Sequence, residues 1–352
     1  MYFVLYNRFL KSIGEPYVLE SWSRTQRAVD LDSLRIEGAQ IPFSADPFLV
    51  VVNDRQGKQM FSGLASTPVI NDKTKKTSII LKDYLTLLNS DVMIDFSKFF
   101  AEYVAGATLG DYLNFVLNYW KEEIDLGFET VTWSVDSVYE EPLTHTQDMS
   151  SIQSVNICDH ILGLVNYYNL YIVSSLDLNT KTLTYTFYPA SLNSVSIRLK
   201  DFGVEVIEKS FGDYNRATVY NFNHVKMQQW ALTKDNQVVK LPSNKELVYP
   251  AKNKNFIGKD PNTSGSTGSL NGAVFDAVMG LAQNRYQENV DLDAQKYKSV
   301  LDLTGIDFSY KVDVYTDDGY YKNLPVGEIV TDSKGKHIIR LGHRVQELTQ
   351  EI

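Results

Sequence analysis

A nucleophile and a base lie two residues apart in this chain, Cys158 and His160. A reactive thiolate needs an accessible, electropositive setting. The surrounding run, residues 155–162 VNICDHIL, is apolar and helical in period, so Cys158 reads as a small buried hydrophobe. Two Asp-Leu-Asp phrases, Asp30 to Asp32 and Asp291 to Asp293, put paired carboxylates on one face of a strand. A calcium site needs more oxygen ligands than either phrase supplies, so both pairs read as alternating exposed residues. Glu140 and Glu141 could supply one member of a glycosidase carboxylate pair, but such pairing is spatial and adjacent acids are ordinarily solvated. The loop at residues 265–272, GSTGSLNG, precedes a helical pattern but lacks the Lys and the delivering strand of a phosphate loop. The five histidines show no ligand spacing; His337 and His343 flank a strand and read as packing residues. No catalytic, cofactor or metal set is expected.

With chemistry thin, the elements themselves carry the information. Residues 48–64 read FLVVVNDRQGKQMFSGL and residues 312–330 read VDVYTDDGYYKNLPVGEIV. Each has a β-branched run, a polar turn, a return strand and a second glycine, Gly63 or Gly327. Gly in a polar turn supplies the positive φ of a tight hairpin. The turn residues Asp54, Arg55 and Gly57, and Asp317, Asp318 and Gly319, are the candidate interface residues of two related β-modules.

The rest of the chain fits that frame. The 352 residues carry 34 Lys and Arg against 43 Asp and Glu, and no basic stripe stands out, which argues against nucleic acid as a partner. The densest basic cluster, Lys73, Lys75 and Lys76, reads as a solvated turn. One cysteine excludes an intrachain disulfide framework. The N-terminus lacks the pattern of a signal peptide, and no apolar run is long enough for a membrane anchor. Twenty-two Tyr and 17 Phe suit large contact surfaces.

Short strands fill residues 1–98, with the run Phe48 to Val52 buried on both faces. Thr108 is a candidate N-cap for a helix whose buried face is Leu109, Tyr112, Leu113, Val116, Leu117 and Trp120. A second helix follows from Ile157 to Tyr168, with an irregular stretch around Trp133 between the two. A hairpin turns near Asn179, a helix starts at Ala273, and residues 306–345 form a last β-meander. The expected fold is α+β, mostly antiparallel, with two similar β-barrels enclosing a mixed helical domain. The expected boundaries are 1–99 for the first barrel, 100–194 for the helical domain with 233–303 joining it, and 195–232 plus 304–352 for the second barrel.

Residues 41–63, IPFSADPFLVVVNDRQGKQMFSG, followed by IILKDYLTLLN at 79–89, resemble the start of phage tail-tip hub proteins, the tail-associated proteins of long-tailed phages and prophages of Gram-positive bacteria. Residues 108–120, TLGDYLNFVLNYW, resemble their helical domain. Residues 283–292, then 312–321, resemble the return into their last barrel. The resemblance implies a homotrimeric baseplate hub in the virion, with six barrels in pseudo-sixfold symmetry capping the tail tube. It further implies a distal tail protein ring, the tape-measure protein and receptor-binding proteins as partners, with opening of the tip for DNA release. Lytic activity, which larger relatives carry on added domains, is not implied. A cell-wall hydrolase using dispersed carboxylates and a glycan-binding module using Tyr and Trp are the alternative readings.

Overall fold

Period-two alternation builds the first module. In the computed structural model, residues 1–28, 31–42, 45–102, 106–123, 132–136, 140, 143, 152–199, 207–210, 213–234, 237–258, 270–284, 287–298, 302–316 and 320–342 are described. Seven strands come first: β1 (Tyr2–Tyr6), β2 (Ser12–Arg27), β3 (Ser33–Ala39), β4 (Leu49–Asn53), β5 (Gln59–Ala65), β6 (Val69–Asn71) and β7 (Lys76–Lys82). Their neighbour order is β1-β4-β5-β7-β3-β2, and β2 pairs back onto β1, so six antiparallel strands close a barrel. Leu5, Leu34, Ile36, Val50, Val52, Ile79 and Leu81 fill it. As its unbroken apolar run requires, β4 is buried on both faces. Val50 and Val52 point into the barrel, whereas Leu49 and Val51 join the neighbouring helical core.

That core is built from local signals. A 3-10 helix, Tyr84–Leu88, leads into β8 (Asp91–Asp95), α1 (Ser97–Glu102) and α2 (Leu109–Glu123). Thr108 Oγ1 accepts from Asp111 N–H at 3.1 Å while the Asp111 carboxylate accepts from Thr108 N–H at 2.8 Å, a reciprocal cap. All six predicted positions of α2 are buried, each aliphatic one worth about 1.5–3 kcal/mol in transfer terms. The stretch at Trp133 read as irregular is a strand, β9 (Thr132–Asp136). It pairs in parallel with a strand some 50 residues later in the chain, a partner invisible to local pattern. Then come β10 (Ile152–Asn156), which pairs with β8, and α3 (Ile157–Tyr167). The hairpin β11 (Leu170–Asp177) and β12 (Thr182–Pro189) completes a three-stranded sheet with β9.

The second module starts with β13 (Asn193–Arg198) and β14 (Ile207–Ser210). Four strands, β15 (Arg216–Tyr220), β16 (Lys226–Leu232), β17 (Val238–Lys240) and β18 (Asn253–Ile257), then form a sheet of their own. The helix α4 (Leu270–Gln283) covers that sheet. Its Ala273, Ala277 and Leu281 pack on the sheet, while Phe275, Val278 and Met279 enter the helical core, so α4 is apolar on two sides and buried between them. After it, β19 (Gln287–Asp293), the short α5 (Ala294–Tyr297), β20 (Tyr310–Tyr315), β21 (Tyr320–Asp332) and β22 (His337–Leu341) complete the chain's described elements.

The pairing order of this second set is β13-β20-β21-β22-β19-β14. Taken in chain order, its six strands occupy the same places as β1, β2, β3, β4, β5 and β7 in the first barrel. One pairing differs in sense: β1–β4 is antiparallel and β13–β20 is parallel. The fold is therefore mostly antiparallel β, with a closed six-stranded barrel and a second six-stranded set of matching order.

Candidate functional site

The two hairpin phrases occupy corresponding places, at β4–β5 and β20–β21. In the first, the Asp54 carboxylate accepts from the N–H groups of Gln56 at 2.9 Å and Lys58 at 2.8 Å, and Gly57 has φ +86°. Asp54 and Gly57 thus shape the turn, and Arg55 is exposed at its tip. Asp317, Asp318 and Gly319 lie outside the described residues. The repeated second glycines do have a shared reason. A Cβ on Gly63 would lie 2.7 Å from the Lys82 carbonyl oxygen, and one on Gly327 would press into the Gly342 carbonyl. Both mark a strand crossing too close for any side chain.

A third turn matches the first more closely than the sequence comparison foresaw. Asp332 accepts from Lys334 N–H at 2.8 Å and Lys336 N–H at 2.9 Å, with Gly335 at φ +90°. Asp54-Arg-Gln-Gly-Lys58 and Asp332-Ser-Lys-Gly-Lys336 are the same Asp-x-x-Gly-Lys turn. This short motif was the available signal.

The charged groups that sequence reasoning missed lie where the modules meet. The C-terminal half of β2 keeps β3 on one side through Thr25 and, past the stretch paired with β1, takes β21 on the other, from Ser23 opposite Asp332 to Arg27 opposite Glu328. Along this seam Arg27 Nε donates to Glu328 at 3.0 Å, and Glu328 also takes Arg340. Arg340 Nε reaches Asp291 at 3.2 Å. Glu328 is buried between its two guanidinium partners. On the near side, Asp32 accepts from Arg27 N–H at 2.7 Å and faces Arg24 at 3.6 Å. Arg24 itself stacks on Phe61, 4.7 Å from the ring centre.

Asp32 therefore corrects the reading of Asp30 and Asp32 as an exposed alternating pair; Asp30 lies outside the described residues. Burial, and then the nearby Asp83 charge, push the Asp32 carboxyl up to about 7. Burial likewise raises Asp83. The Asp83 carboxylate accepts from Leu85 N–H at 2.9 Å and from the Ser174 hydroxyl, capping the 3-10 helix and tying it to β11. A cleft of about 200 Å³ opens here, lined by Arg24, Asp32, Asp83, β5 and β11. It meets the first barrel, the helical domain and, through Phe308, the second module.

The other candidates resolve as packing. Cys158 is buried, and His160, two residues on along α3, points elsewhere. The His160 ring bonds the Tyr112 hydroxyl at 3.0 Å and stacks on Phe275, and burial lowers it to about 4. Asp291 and Asp293 serve an ion pair and the N-cap of α5. Lys75 and Lys76 pair with Asp72 and Glu20 at an exposed turn. Glu140 is exposed, whereas Glu141, His343 and most of the glycine-rich loop lie outside the described residues. Among the described residues no group of three or more His, Cys, Asp or Glu is placed to hold a metal, and no helix is long and apolar enough to cross a membrane.

No family model matches the chain, and no curated protein matches it. Solved structures do. The 43 kDa tail protein of prophage MuSo2 from Shewanella oneidensis superposes with a TM-score of 0.51 at 13% identity, covering 97% of this chain and 98% of that one. Prophage tail protein gp18 from Listeria monocytogenes gives 0.50 at 9% identity, covering 98% and 95%. The two sources do not support restricting the likeness to Gram-positive hosts, as the sequence resemblance had implied. At these identities the likeness is one of fold, and it is end to end: this chain is built like solved prophage tail proteins.

Proposed function

We propose that this chain is a structural virion protein, the hub at the tip of a phage tail, acting as a homotrimer. The observation that carries the reading is the matched strand order of β1–β7 and β13–β22 around the β2–β21 seam. A chain with two alike modules presents two alike rims, so three chains offer six near-equivalent contacts to a sixfold tube. The domain division we propose follows the pairing: a first barrel over 1–82, a helical domain over 84–189 with α4, a four-stranded insert over 213–258, and a second module over 193–210 with 287–342. In this reading the distal tail protein ring docks on the barrel rims, the Asp54 turn of the first among the contacts. The tape-measure protein ends inside the ring, receptor-binding proteins attach outside, and the tip opens for DNA release.

The protein acts mechanically in this reading, without cofactor or turnover. Asp32 has the raised pKa that acid–base chemistry uses, but it and Asp83 are held by Arg24, Arg27 and Ser174, groups that hold the seam together. The test is assembly with a recombinant distal tail protein ring. Three copies bound per ring, with Arg55→Glu weakening the complex, is the expected result. No complex at tens of micromolar would overturn the reading.

A further inference from the structure

Two strands that line the cleft each have an edge with no strand beside it among the described residues. β5 pairs with β4 along Gln59 to Leu64, but β7 reaches only Leu64 and Ala65 on its other side. Past Lys82 the chain turns into the 3-10 helix at Asp83, so the place beside Gln59–Ser62 that β7 would have filled is vacant of strand. β11 pairs with β12 on one side and with no strand on the other. Gln59 to Ser62 and Ile172 to Ser175 line the same cleft. Open edges carry rows of backbone donors and acceptors, and a peptide that adds a strand satisfies them.

The floor of the cleft says what that peptide carries. The charged groups that line it are Arg24 and Arg27 with Asp32 and Asp83, and Arg27 leads away from the cleft through Glu328 to Arg340 and Asp291. Arg27 and Arg340 are engaged with Glu328, and Arg24 with Asp32. Asp83 has no ion-pair partner within 4.0 Å among the described residues. A buried carboxylate of this kind is stabilised by an incoming cation. At about 200 Å³ the space falls below the roughly 300–1,000 Å³ of small-molecule sites, and suits one long side chain. Met60, Phe61, Val173 and Phe308 supply apolar walls for its stem.

We propose that this cleft is a docking slot for an extended peptide segment of a partner protein, which adds a strand at the β5 and β11 edges and places one Lys or Arg side chain against Asp83. The occupant is a basic, β-forming segment, and the claim is independent of the hub reading: it concerns one chain and one peptide.

The test pans the full chain against a random eight-residue peptide display library and synthesises the recovered sequences. The expected peptides share one Lys or Arg flanked by alternating apolar and polar residues. Their binding should weaken about ten-fold or more when that residue is changed to Gln, or when the protein carries Asp83→Asn. N-methylating alternate peptide amides, which leaves the protein untouched, should abolish binding in one of the two phases. Bound peptide should slow amide exchange at residues 59–62 and 172–175. Recovery of no peptide, peptides indifferent to the basic residue and to N-methylation, or protection elsewhere on the chain would each overturn the proposal. Concentration-dependent protection of both edges without peptide would overturn it in favour of a second copy as occupant.

Discussion

Asp32 and His160 are two residues whose protons report on folding, and they act in opposite senses. The folded Asp32 carboxyl holds its proton up to about 7, whereas the unfolded one releases it near 3.8. Its contribution to stability therefore falls as pH rises between those values and is level above them. The His160 ring, lowered to about 4 by burial, stays neutral in the folded chain while the unfolded ring protonates below 6.5. Its contribution rises with pH across that window. The two partly cancel in the wild type and separate in variants. Asp32→Asn should be more favourable relative to wild type at pH 8 than at pH 5, by an amount on the order of a few kcal/mol at most. His160→Phe should show the reverse order. Urea unfolding at both pH values measures this; a difference that does not change with pH for Asp32→Asn would contradict the burial of that carboxyl. Neither role was legible in sequence. Asp32 sits in a period-two pattern that suits an exposed pair, and what buries it, Asp83 with β11, comes from distant parts of the chain.

Elements were legible where their cause is local. The face of α2 from Leu109 to Trp120 and its Thr108 cap can be read directly, because a helix and its first turn are decided within a few residues. Thr108→Ala should cost about 1 kcal/mol in a denaturant titration. The hairpins were equally plain, yet their recurrence was paired by a looser match than the Asp-x-x-Gly-Lys turn that Asp54 and Asp332 share. The fourth residue of this turn needs a positive φ, supplied by Gly57 and Gly335 and, in the similar turns opened by Asn7 and Asn221, by Leu10 and His224. Gly57→Ala and Gly335→Ala should each destabilise by about 1 kcal/mol, and Leu10→Gly should stabilise by a similar amount. Thermal melts of the three variants check the sign. The strand at Thr132–Asp136 and the sense of β13 could not be read, since both are settled by strands far along the chain.

At the scale of the whole molecule, the β2–β21 seam makes one continuous sheet of two modules. Glu328 is buried at its centre with two part-exposed guanidinium partners, so Glu328→Ala removes both charge-assisted bonds and should cost about 1.5–3 kcal/mol. Differential scanning calorimetry should then show the two modules melting apart, whereas the wild type should melt in one transition. The matched strand order was foreshadowed by the repeated hairpin phrase, although the insert of β15–β18 between β14 and β19 hides it from any search for a continuous repeat. That order underlies the proposed hub, and its most direct test is the mass of the purified chain in solution by light scattering coupled to size exclusion. Three chain masses, holding across a range of concentrations, is the expected result; a strict monomer at the highest concentration attainable would contradict it.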